Sequence, residues 1–188
     1  MIFRHLVGAG GQVIVFEPSS QNLNYLMRNV AADGTVRVEA KAVSDRQGEA
    51  DFYVEDLTGQ NNSLIANYDV LKGNVDHAGI KVVTSVQRVE VTTLDAYCSS
   101  LGVAPDFIKI DIEGAEKHAL LGAEDTIRKH HPIFMVEVTR DHEEIYAFMR
   151  RMGYELYDDH LVAAPGRRLM FNQFFIPTSR LSELGLSS

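Results

Sequence analysis

The chain of 188 residues contains no tryptophan, one cysteine and five prolines. The single cysteine, Cys98, excludes an intrachain disulfide and makes a reducing cytoplasm the expected compartment. No apolar run approaches the length of a membrane span, and Met1 to Gly11 is too short and too polar for a secretory signal. Basic residues are also scarce: Lys and Arg number 18 against 26 Asp and Glu, a net charge of −8. They form no basic block, so neither nucleic acid nor a membrane surface is an expected partner. Internal repeats and linkers are absent. Residues 1–188 are therefore expected to form a single domain, long enough for one core. Hydrophobic residues make up 45% of the chain, an ordinary globular share that argues against disorder.

A further absence concerns glycine. Val13-Ile-Val-Phe-Glu17-Pro18 is a short apolar run closed by an acid. It has the form of the second strand of a dinucleotide- or S-adenosylmethionine-binding sheet, whose acid accepts the ribose hydroxyls. The glycine-rich loop of such a sheet normally lies about 20 residues upstream. Only 16 residues precede Glu17. Leu6-Val-Gly-Ala-Gly-Gly11 imitates the loop but cannot serve as it. A parallel crossover needs about a dozen residues or more, and Gln12 alone separates Gly11 from Val13. The glycines read better as the turn capping a helix whose tail is Met1 to Val7.

What is present alternates strand with helix. Residues 12–16 read as a buried strand. A helix opens at Pro18-Ser19 and carries Leu23, Leu26, Met27 and Val30 on one stripe, ending at Asp33-Gly34. Val36 to Val43 reads as one strand and Gly48 to Val54 as an antiparallel return. Residues 56–79 are irregular and read as a long loop on the functional side. Lys81 to Thr92 is a valine-rich strand, Leu94 to Leu101 a short helix, Phe107 to Ile112 a buried strand. One helix spans Ala115 to Arg128 with Ala119, Leu120, Ala123 and Ile127 inward. Pro132 to Val138 is a strand, and Ile145, Phe148, Met149 and Met152 stripe the next helix. Tyr154 to Tyr157 and Leu169 to Ile176 form a hairpin across Pro165-Gly166. Repeated strand–helix–strand units define an α/β fold with a largely parallel sheet.

The densest chemistry lies in Asp106-Phe-Ile-Lys-Ile-Asp111-Ile-Glu113-Gly-Ala-Glu116. A strand delivers Asp111 and Glu113 to its carboxyl end, where open α/β sheets bind ligands. Glu116 reads as a helix cap. Asp111 interrupts an apolar strand, and burying an unpaired carboxylate is costly, which favours a functional role. His130-His131 end their helix as favourable cationic groups. Two neighbouring acids alone do not define a metal site, and none is assigned.

Phe107 to Glu116 with Leu120-Leu-Gly-Ala123 resembles the signature of the FkbM-type methyltransferases. Further stretches match in order: Val13 to Pro18, Asn29, Ala42-Val-Ser-Asp45 with Gly48, Gln60 to Ile65, Val91-Thr-Thr-Leu-Asp95, Pro132 to Val138 and Asn172 to Pro177. The resemblance implies a Rossmann-like methyltransferase sheet of order 3-2-1-4-5-7-6, mostly parallel with a C-terminal antiparallel hairpin. It implies S-adenosylmethionine as cofactor and methyl transfer to a hydroxyl of a small molecule or sugar. On this reading Glu17 holds the ribose, Ala42, Val43 and Ser44 lie along the adenine, and Asp111 sits under the methionine portion or the acceptor. Asp111 or Glu113 would act as general base. Glu137 and Gln60 to Ser63 would face the acceptor.

The family's first, central strand and its loop have no counterpart in this sequence. An N-terminally incomplete methyltransferase-like domain is the favoured explanation. Direct pairing of the flanking strands, or a second copy of the chain filling the gap, would also meet the demands of the exposed backbone. Weak or lost cofactor binding is expected on either basis. A degenerate, non-catalytic methyltransferase-like binding domain is therefore the alternative function.

Overall fold

The computed structural model describes residues 2–30, 33–55, 62–66, 84–165 and 172–186. The chain divides into two compact units, Met1–Val43 with Gln47–Thr92, and Ser44–Arg46 with Thr93–Ser188.

In the first unit, helix α1 (Ile2–Leu6) ends in the expected glycine turn, with Gly8 left-handed at φ 66°. The expected strand at 12–16 is β1 (Val13–Phe16). Helix α2 (Ser20–Val30) begins after Ser19, whose hydroxyl accepts the Asn22 N–H at 3.4 Å. Of its apolar stripe Val30 is buried, while Met27 is 50% exposed. The single strand expected over 36–43 is two. β2 (Val36–Glu39) pairs in parallel with β1, and β3 (Ala42–Val43) pairs in parallel with β5 (Thr84–Thr92). The chain changes partner at Ala40-Lys41, where Lys41 is tied to Glu90 of β5. β4 (Gly48–Glu55) returns antiparallel to β5 rather than to its predecessor. Ala42, Ala50, Phe52, Val54, Val89 and Val91 form the core of this three-stranded sheet. The irregular segment at 56–79 lies largely outside the described residues.

The second unit holds helix α3 (Leu94–Leu101), β6 (Phe107–Ile110), helices α4 (Glu116–Leu121) and α5 (Glu124–His130), β7 (Ile133–Glu137), helix α6 (His142–Arg151), β8 (Tyr154–Tyr157) and β9 (Asn172–Pro177). The strand order is β6-β7-β9-β8, with β6 and β7 parallel and β9 antiparallel to both neighbours. The expected hairpin is present, and its turn beyond Pro165 lies outside the described residues. The helix expected over 115–128 is broken at Gly122-Ala123. The inward residues Ala119, Leu120, Ala123 and Ile127 are buried as expected. So are Ile145, Phe148 and Met149 on α6.

The orders β2-β1 and β6-β7-β9-β8 each match a run of the expected 3-2-1-4-5-7-6 order. β1 and β6 belong to different sheets, so direct pairing of the flanking strands does not occur among the described residues.

Candidate active site

The carboxyl ends of β6 and β7 carry the candidate site. Their register sets Ile110 opposite Val136 as its last pair, and continuing it by one residue brings Asp111, just past β6, level with Glu137. β9 runs on the other side of β7 and sets Asn172 opposite Glu137. Opposed residues of neighbouring strands point to one face, about 5 Å apart per strand. Asp111, Glu137 and Asn172 therefore form a row across three strands. The next residues inward on that face are Lys109, Met135 and Phe174.

The expectation that Asp111 is buried is corrected. Its side chain is 37% exposed and forms an ion pair with Lys109, two residues back on the same face. Among the described residues β6 is the outer strand of its sheet, so the apolar run around Asp111 does not enclose it. Glu137 is half-buried, and its side chain has no hydrogen bond or ion pair among the described residues. Glu113 is half-buried with a left-handed backbone at φ 53°, followed by Gly114 at φ 94°. Asp141, after β7, is left-handed too, at φ 54°. Such conformations cost a non-glycine residue about 1 kcal/mol or more and collect at functional loops.

Glu116 joins the two loops. It is fully buried, and its carboxylate accepts the Gly114 N–H at 2.8 Å and the Thr139 hydroxyl at 3.3 Å. Burial pushes its pKa above the ordinary range, against the lowering effect of the Gly114 N–H. Glu116 stands in the first turn of its helix as expected, and beyond a cap it is a buried bracket between the ends of β6 and β7. A glutamate in a first helical turn gives no hint of this from the sequence, because the second loop arrives only through the fold.

Asp95 is a second residue whose role the sequence conceals. Its two carboxylate oxygens accept the N–H groups of Thr126 at 2.7 Å and Asp125 at 3.0 Å, closing the start of α5. Gly122 is needed because a Cβ there would lie 2.0 Å from the Ser44 carbonyl oxygen.

In the first unit, Glu17 closes β1 and its Oε1 accepts the Ser19 N–H at 2.8 Å, with Asn22 adding a side-chain hydrogen bond. Burial pushes its pKa up despite these bonds. The residue is half-buried, so a carboxylate at a strand's carboxyl end remains partly open to hydroxyl donors, as a ribose would require. Of the stretch expected along an adenine, Ala42 lies in the core and Ser44 is buried, which leaves Val43 half-buried. Gln60 and Asn61 lie outside the described residues. Asn62 and Ser63 fold back onto β4: the Asn62 Oδ1 accepts the Glu55 N–H at 2.9 Å, and Ser63 exchanges backbone bonds with Tyr53.

Parallel strands closed by acids, loops strained at their carboxyl ends and an antiparallel final strand are the features of a methyltransferase-type α/β fold. The model of the methyltransferase FkbM domain matches residues 1–156, and the chain belongs to that family. It is similar to the 2-O-methyltransferase NoeI of Sinorhizobium fredii, 26% identical over 121 residues, which are 63% of this chain and 50% of that protein. The chain thus spans about half the length of the curated relative it matches. The crystal structure of methyltransferase FkbM from Methylobacillus flagellatus aligns with 93% of this chain and 40% of its own, at a TM-score of 0.54 and 18% identity. That likeness supports the fold.

Proposed function

We propose that the chain is an S-adenosylmethionine-dependent O-methyltransferase domain acting on a hydroxyl of a small molecule or sugar. The family supports methyl transfer, and the relative named for 2-O-methylation supports an oxygen acceptor. The row Asp111, Glu137, Asn172 at the carboxyl edge of the sheet is the observation that carries the assignment. When bound, the cofactor supplies a sulfonium methyl group that needs only an in-line oxygen. Glu17 and Val43 would hold its nucleoside, as the family resemblance implies. The protein's task is to orient the acceptor and take its proton. Glu137 suits that role best, since Asp111 shares its charge with Lys109. Glu113 is a second candidate, on the strained turn. As the oxygen–methyl bond forms and the methyl–sulfur bond breaks, the hydroxyl proton passes to the carboxylate.

The alternative, a non-catalytic binding domain, draws support from the partners that Glu17 and Asp111 already have. Transfer of labelled methyl at millimolar S-adenosylmethionine separates the two, because weak cofactor affinity then does not hide turnover. Labelled product with a hydroxyl acceptor supports the first reading, and none with any acceptor supports the second. A reducing compartment fits the lone, buried Cys98 thiol. The position of β6 at the outside of its sheet supports self-association as a way to cover it, which sedimentation at two concentrations would check.

A further inference from the structure

We infer that Glu137 and Asn172 form a two-pronged acceptor site for neighbouring hydroxyls, so that the preferred substrate is a neutral vicinal diol such as a glycoside. The inference rests on the O-methyltransferase reading and names its substrate class. Glu137 and Asn172 oppose each other on neighbouring strands, yet no hydrogen bond joins their side chains. The Glu137 side chain has no partner among the described residues, and the Asn172 Oδ1 is buried with none. An unmet buried acceptor is costly, and a hydroxyl donor removes that cost. Asn172 as a whole is half-buried, and a half-turn of its carboxamide exchanges Oδ1 with the amide nitrogen.

One hydroxyl donates a single hydrogen bond, so two acceptors on one face call for two hydroxyls. Strand spacing of about 5 Å lets a pair of adjacent hydroxyls reach both. Gln173, next along β9, points to the opposite face, where its Oε1 accepts the Tyr146 hydroxyl at 2.8 Å. It belongs to the core and not to the fork. Charge narrows the class further. Among the described residues, the cation on the row's face, Lys109, is paired with Asp111, and Glu137 has no cationic partner. A phosphorylated or carboxylated acceptor would meet that charge unshielded.

Ligand-observed NMR on the full chain provides a test independent of turnover. The probes are a neutral methyl glycoside with adjacent hydroxyls, its deoxy counterpart lacking one of them, and the matching uronic acid. The neutral diol should bind about tenfold more tightly than either, the equivalent of one hydrogen bond. Asn172→Leu should weaken the diol by a similar factor and leave the deoxy sugar unchanged. Asn172→Asp, which keeps acceptor oxygens, should retain the preference for the diol over the deoxy sugar. Equal binding of diol and deoxy sugar, or equal loss of both in Asn172→Leu, overturns the fork. Methyl transfer to a lone hydroxyl with no diol preference would also sink it while the O-methyltransferase reading stands. Diol binding without any transfer would sink that reading and keep the fork.

Discussion

Glu116 carries a carboxyl group into full burial, held by the Gly114 N–H and the Thr139 hydroxyl. Because its pKa is raised, the folded protein holds this proton more firmly than the unfolded chain does. Its contribution to stability is complete below the ordinary value of 4.5 and is lost as pH rises through the raised one. Glu17 has the same sign, and Asp45, lowered by its hydrogen bond from His118, has the opposite one. In urea unfolding, the stability of wild type minus that of Glu116→Gln should therefore fall as pH rises above the ordinary value of 4.5. Glutamine keeps an oxygen for the Gly114 N–H and cannot ionise. A difference independent of pH would show that the carboxylate is not penalised by burial. Asp111 taught the converse. Its apolar neighbours Ile110 and Ile112 suggest burial, but exposure is set by the place of β6 at the outside of the sheet, which no local pattern records.

The helices are shaped by single contacts from distant segments. Gly122 separates α4 from α5 where the Ser44 carbonyl presses against the backbone. Gly122→Ala should cost about 1–3 kcal/mol, the range of overpacking, measured by denaturant unfolding. A neutral effect would mean that the Ser44 strand end moves freely. Asp95→Ala removes the acceptor of two N–H groups at the start of α5 and should cost about 0.5–2 kcal/mol. Melting at the wild-type temperature would remove that assignment. The alternation of strand and helix was legible because apolar periodicity marks each element from within. The break at Ala40-Lys41 was not, since both residues suit a strand and the change of partner is decided by β1 and β5. The Leu120-Leu-Gly-Ala123 stretch looked like continuous helix for the same reason.

Across the molecule, the sheets β2-β1 and β6-β7-β9-β8 each carry an expected strand order, and the site row lies within one compact unit. Asp111 and Glu137 were legible as acids ending strands. Their alignment, and the arrival of Asn172 beside them, follow from strand register, which the sequence pattern leaves open. The most direct measurement is transfer of labelled methyl from millimolar S-adenosylmethionine to a neutral diol by wild type and Glu137→Gln, with melting recorded for both. The account predicts transfer by wild type, a loss of about 10² to 10⁴-fold in the variant, and an unchanged melting temperature. Full activity in Glu137→Gln, or a loss of activity matched by a loss of stability, would contradict it.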